Sequence, residues 1–221
     1  MKSDSFWIQA GFAGCLLAGL GQFATDYWFA QHYPGYRWMA ESVSYLGQVG
    51  SPVKQEVAVW GVVFAVLILL FGLGFFKAFS REGAWARLAT GMIVLYGLGE
   101  GLGAGIFPVG PVRGGDAHST FLHDLFSMAG DAGLMLLPLA LMQVFSRKSH
   151  PAFFRLSWLT LVSGTLLASL FMLTKMYPQE SGILYYRGVW QRAYILIYHL
   201  YLIVVSLLML RRREGQKPIH D

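Results

Sequence analysis

Charge is what this sequence has least of. Only 13% of its 221 residues are Asp, Glu, Lys or Arg, while 55% are hydrophobic. Soluble domains carry roughly 25% charged residues, so a water-soluble fold of this length would lack polar surface. Cysteine is nearly absent as well. Cys15 stands alone inside an apolar run, which excludes an intramolecular disulfide and a cysteine-based zinc site. The sequence holds no HExxH, HxxxH or GxSxG pattern, no low-complexity segment and no clear internal repeat. No standard hydrolase signature supports catalysis.

Long apolar runs fill the space instead. A bilayer's hydrocarbon core is about 30 Å thick and takes roughly 20 apolar residues to cross as a helix. Six runs have that length: Phe6–Ala30, Lys54–Phe79, Ala84–Phe107, Thr120–Phe145, Phe153–Met176 and Gly188–Leu210. They predict an all-α polytopic transmembrane bundle of six helices, a single domain over 1–221. The first run is too long for a signal-peptide core and shows no small-residue cleavage site, so it reads as a membrane helix.

Orientation follows from basic residues near helix ends. With both termini inside, eleven Lys and Arg are cytoplasmic, from Lys2, Lys77 and Arg81 to the Arg211-Arg212-Arg213 run, and six are outside. Four acids lie inside and eight lie outside or in the membrane. The net charge of +5 therefore reads as membrane orientation, not nucleic-acid binding. Both termini are expected in the cytoplasm.

Ionisable side chains inside a membrane are costly and tend to face the bundle interior. Here they gather in the outer half. His123, Ser127 and Asp131 follow one another at four-residue steps, and Asp124 stands seven before Asp131, so they share one face of the fourth helix. Asp131 lies about 18 Å of helix rise below Ser119. Arg192 and His199, seven apart, share a face of the sixth helix, and Gln22 and Asp26 lie one turn apart on the first. Glu100 sits in a glycine ladder formed by Gly97, Gly101 and Gly105 with Gly99 and Gly103. Small residues at this spacing let helices approach closely, within the chain or against an oligomeric or membrane partner.

These groups sketch an outward-facing pocket. Asp131, Asp124, Glu100 and Arg192 are the candidate catalytic residues. His118, His123 and His199 are the candidate ligands of a divalent metal such as zinc, with an open position for water. A structural network, for example Asp131 with Arg192 or His199, meets the same desolvation cost. Three functions stay open: a metal-assisted hydrolase or transferase on a lipid or lipid-linked substrate, a transporter, channel or lipid-handling protein with an Asp131/His199 relay, and a non-catalytic assembly factor. The expected partners are membrane lipids and a lipid-like substrate.

Several short runs carry a family likeness. They are Ser42-Val43-Ser44-Tyr45-Leu46-Gly47 with Ser51-Pro52, Gly105-Ile106-Phe107-Pro108, His118 with His123, and Gly188-Val189-Trp190-Gln191-Arg192. In this order the chain resembles a bacterial six-helix membrane family known as domain of unknown function 998. The resemblance covers nearly the whole chain and implies a six-helix fold in a bacterial cytoplasmic membrane, with no established chemistry. The chain is more distantly similar to alkaline ceramidases and progestin/adiponectin receptors in mixing Ser, Asp and His at helix ends. Those use a paired HxxxH on a late helix, where this chain has Ile195 and Ile203 around His199.

Overall fold

The protein is described here from a computed structural model. It describes the backbone of residues 2–110, 117–177 and 181–214, and the side chains of 4–110, 120–177 and 181–212. Six helices are long and apolar enough to cross a membrane. They are α1 (Lys2–Gln31), α2 (Lys54–Phe79), α3 (Ala84–Ile106), α4 (Ala117–Val144), α5 (Pro151–Met176) and α6 (Arg187–Glu214). Short 3-10 turns at Val43–Gly47 and Ile183–Tyr185 punctuate two of the longer connections. No strand occurs among the described residues.

Each helix packs on its sequence neighbour, and α6 closes the ring onto α1. The inner faces interlock around Phe71, Phe75, Ile93, Leu137, Tyr198, Tyr201 and Leu202, all at most 1% exposed. The outward faces are apolar too: Leu20, Val59, Phe121, Leu159 and Leu166 are exposed. Helices that are hydrophobic all round are buried in protein or in lipid, and here lipid is the second solvent.

The first helix begins earlier than its apolar run, at Lys2, because its polar first turn has a partner. Asp4 pairs with Lys77 at 3.3 Å. At the same end Arg212 bonds Glu82. These pairs gather the start of α1, the end of α2 and the end of α6 at the end of the bundle that lies away from the long loops.

The third helix is not uniform. It is α-helical over Ala84–Tyr96, widens to a π-helix over Gly97–Gly103, and ends in Ala104–Ile106. The glycines explain the packing. A Cβ on Gly101 would stand 2.8 Å from the Ala65 nitrogen and the Gly61 oxygen of α2. A Cβ on Gly99 would stand 2.5 Å from the Phe126 oxygen of α4. One glycine edge therefore faces α2 and the other faces α4. The chain's own helices fill the edges that the sequence had left open to a partner. π-Bulges occur often at functional sites, and this one carries Glu100.

Candidate functional site: an acid-lined cavity under the first long loop

A partly enclosed cavity of about 100 Å³ lies at the loop end of the bundle. That is room for several waters. Five helices and the Val43–Gly47 turn contribute to its wall. Its polar groups include Gln22 and Asp26 from α1, Glu100 from α3, His123 and Asp131 from α4, and Gln191 and Tyr194 from α6. Phe29, Trp60, Phe64 and Tyr96 supply aromatic surface.

The two central acids hold different partners. The Ser127 hydroxyl donates to Glu100 Oε1 at 2.5 Å. This accounts for the Ser127 position on the His123–Asp131 face: it serves the neighbouring helix. Gly130 leaves the space, since a Cβ there would stand 3.1 Å from Glu100 Cγ. The Tyr194 hydroxyl donates to Asp131 Oδ2 at 3.2 Å. Both carboxyls are half-buried, and both line the cavity. Among the described residues, no Lys or Arg lines the cavity.

Arg192 lies elsewhere than beside Asp131. It grips Asp26 with two bonds, Nε to Oδ2 at 2.7 Å and Nη2 to Oδ1 at 2.8 Å, and both side chains are at most 5% exposed. Nη1 donates to the carbonyls of Trp38, Glu41 and Gly188, and Nη2 also donates to the Tyr36 hydroxyl. The Trp38 ring stacks on the guanidinium at 4.2 Å, and its Nε1 donates to Asp26. The planar fork of arginine suits such a junction. Burial pushes the Tyr36 phenol up to about 12, although Arg192 beside it pulls it down. Arg192 is thus a clamp that ties the first long loop to α1 and α6.

Two more residues of α6 complete the clamp. Gln191 Oε1 accepts from the Val43 amide at 2.7 Å, and Arg187 Nη1 donates to the Tyr45 hydroxyl at 2.9 Å. Gly188 permits the contact, for a Cβ there would fall 2.3 Å from the Trp38 carbonyl oxygen. The runs Ser42–Gly47 and Gly188–Arg192 therefore touch each other directly as the lid of the cavity.

The histidines separate. His123 uses Nδ1–H to reach the Phe107 carbonyl at 2.8 Å and the Ala104 carbonyl at 3.2 Å. It caps carbonyls at the end of α3 that have no helical partner. His199 donates from Nδ1 to the Ile195 carbonyl, and Tyr96 donates to its Nε2 at 3.4 Å. It sits among Phe23, Phe64 and Tyr96 and is not part of the cavity wall. The side chain of His118 lies outside the described residues. Among the described residues no group of three or more His, Cys, Asp or Glu could hold a metal ion. Asp124 is also outside the wall, half-exposed and paired with Lys175 at 3.6 Å.

Of the candidate residues, the fold brings Glu100, Asp131 and His123 to one cavity and sends Arg192, Asp124 and His199 elsewhere. Tyr194, Tyr96 and Trp60 join the wall without having been singled out, and Gln191 joins it from the Gly188–Arg192 run. The four-residue step from Tyr96 to Glu100 was a signal in the sequence, but Tyr194 gained meaning only from Asp131 across the bundle. No curated protein and no solved structure matches the chain. A family model does match, over residues 10–208, and the chain belongs to that family, described as DUF998, proteins of unknown function.

Proposed function

We propose that this protein binds a cationic ligand in the acid-lined cavity and moves or presents it at the outer face of a bacterial cytoplasmic membrane, with both termini inside. One observation carries the reading: Glu100 and Asp131 line a single, partly enclosed cavity, and no Lys or Arg is among the described residues of its wall. Buried carboxyls are stable only with a proton or a counter-charge. Two cations at this end of the bundle are already committed, Arg192 to Asp26 and Lys175 to Asp124. A ligand bearing an ammonium group supplies the counter-charge, and Phe64, Tyr96 and Trp60 supply the aromatic faces that favour one.

The test is calorimetric titration of the purified protein with tetramethylammonium, with sodium acetate as the anionic control. Tetramethylammonium is expected to bind and acetate is not. Glu100→Gln and Asp131→Asn should each weaken binding at least tenfold. Binding unchanged in the double variant would sink the proposal.

A second reading uses the same pair of carboxyls. Glu100 and Asp131, sharing one cavity, form an acid/base pair for hydrolysis or transfer on a bound lipid-like substrate. Recovery of the ligand chemically unaltered after long incubation would decide for binding and movement.

A further inference from the structure

The cavity has a second neighbour. On the lipid-facing side of the bundle a groove runs between α1 and α2, lined by Trp28, Phe29, Gln55, Glu56, Val59, Trp60 and Val63. Phe29 and Trp60 line both the groove and the cavity. Two side chains thus form the partition between an acid-lined chamber and the bilayer. The groove is graded along α2: Gln55 and Glu56 stand at the loop end, and the exposed Val59 and Val63 follow one and two turns deeper. That is the order in which a membrane passes from headgroups to hydrocarbon.

The two ways into the cavity differ in what must break. The loop lid is latched by Arg187, Gln191 and Arg192, the last in a buried bidentate ion pair. Separating a buried pair leaves an uncompensated charge. Trp60 is held by one side-chain hydrogen bond, from Nε1 to Gln22 Oε1 at 3.1 Å. Its ring lies against Gly21, where an added Cβ would meet Cη2 at 2.3 Å. A neutral hydrogen bond contributes far less than a buried ion pair costs to break. The side wall is therefore the weaker one.

From this we infer that the ligand is an amphiphile: its cationic headgroup occupies the acid-lined cavity, and its hydrocarbon chain leaves past Trp60 into the α1–α2 groove. This rests on the cationic-ligand reading above. The groove abuts the acidic cavity across Phe29 and Trp60, so charge and apolar surface are presented in the sequence that a single-chain ammonium lipid requires. Trp60 is the gate residue.

The experiment uses the whole protein in maltoside micelles and a trimethylammonium probe with a twelve-carbon chain brominated at its far end. Bromine near Trp28 and Trp60 quenches their fluorescence. Val63→Trp and Val59→Trp fill the groove from its lipid-facing side, where the native side chains are exposed, and leave the cavity wall intact. Saturable quenching is expected in the wild type, weakened at least tenfold by either groove variant and by Glu100→Gln. Tetramethylammonium, which has no chain, should bind both groove variants within twofold of wild type. If the brominated probe binds the groove variants as tightly as wild type while tetramethylammonium still binds, the side entry is wrong and the cavity reading survives. If quenching ignores Glu100→Gln, the groove holds only an adventitious lipid chain and the inference fails. If tetramethylammonium binds nowhere, both readings fall together.

Discussion

Arg192 and Asp26 stand 166 residues apart in the chain and meet in a bidentate pair at 2.7 and 2.8 Å, buried where α6 passes α1. Among the described residues, the other bonds that Arg192 makes run to the first long loop or to its own helix. The junction therefore decides the shape of the cavity's roof: Asp26 lines the cavity, and Arg192 holds it from outside the wall.

Breaking that junction from one side should be costly. Arg192→Gln or Asp26→Asn leaves one buried charge without its partner, a loss of about 3–5 kcal/mol. Thermal unfolding in detergent should show a lowered midpoint for each. The double variant should lose less than the sum of the two, because neither charge is then stranded.

The Tyr194–Asp131 bond offers a finer probe of the cavity. Tyr194→Phe removes the hydroxyl and keeps the ring. A hydrogen bond to a charged group contributes about 1.5–3 kcal/mol, so cation affinity should change by roughly tenfold or more. The unfolding midpoint should move much less than in the Arg192 variants. Equal movement of both would assign Tyr194 to the scaffold.

Glycine positions on α3 should divide sharply. Gly99→Ala drives a methyl to 2.5 Å from the Phe126 oxygen and 2.6 Å from the Gly130 nitrogen, and overpacking of this kind costs about 1–3 kcal/mol or more. Gly91 has nothing within 4 Å of its missing Cβ. Gly91→Ala should be neutral or stabilising by up to ~1 kcal/mol, since alanine prefers the helix. Unfolding midpoints of the two variants measure the difference.

Alkaline stability tests the loop junction. Burial holds the Tyr36 phenol up at about 12 in the folded protein, while an ordinary tyrosine loses its proton near about 10. The unfolded chain releases this proton first, so the contribution is full below pH 10 and is lost as pH rises through 12. Tyr36→Phe should flatten that part of the stability curve relative to wild type. An identical slope in both proteins would show that the phenol does not titrate there.

Membrane orientation can be read by chemical labelling. In a Cys15→Ser background, single cysteines at Glu56 and at Arg81 should react from opposite sides of sealed cells, Glu56→Cys with an impermeant maleimide from outside. Labelling of Arg81→Cys from outside instead would invert the topology.

The six helices were legible from hydropathy alone, because a bilayer imposes length and apolarity on each segment separately. The gathering of polar groups at one end was legible for a related reason: their cost in hydrocarbon depends on depth, and depth follows from residue count along a helix. Glu100, Asp131 and His123 could be named as neighbours of one pocket on that basis. Their partners could not. Asp131 faces Tyr194, and Arg192 belongs to Asp26, because pairing depends on how each helix is rotated about its axis and on which helices adjoin. That rotation is set by side-chain packing across the bundle, such as the Gly99 and Gly101 edges against α4 and α2. The sequence by itself thus determined that this is a membrane bundle with its costly polar groups at one end. Only the tertiary structure decided which of them clamp the roof, which cap a helix and which face the cavity, since helical spacing places residues on a face but does not say what that face meets.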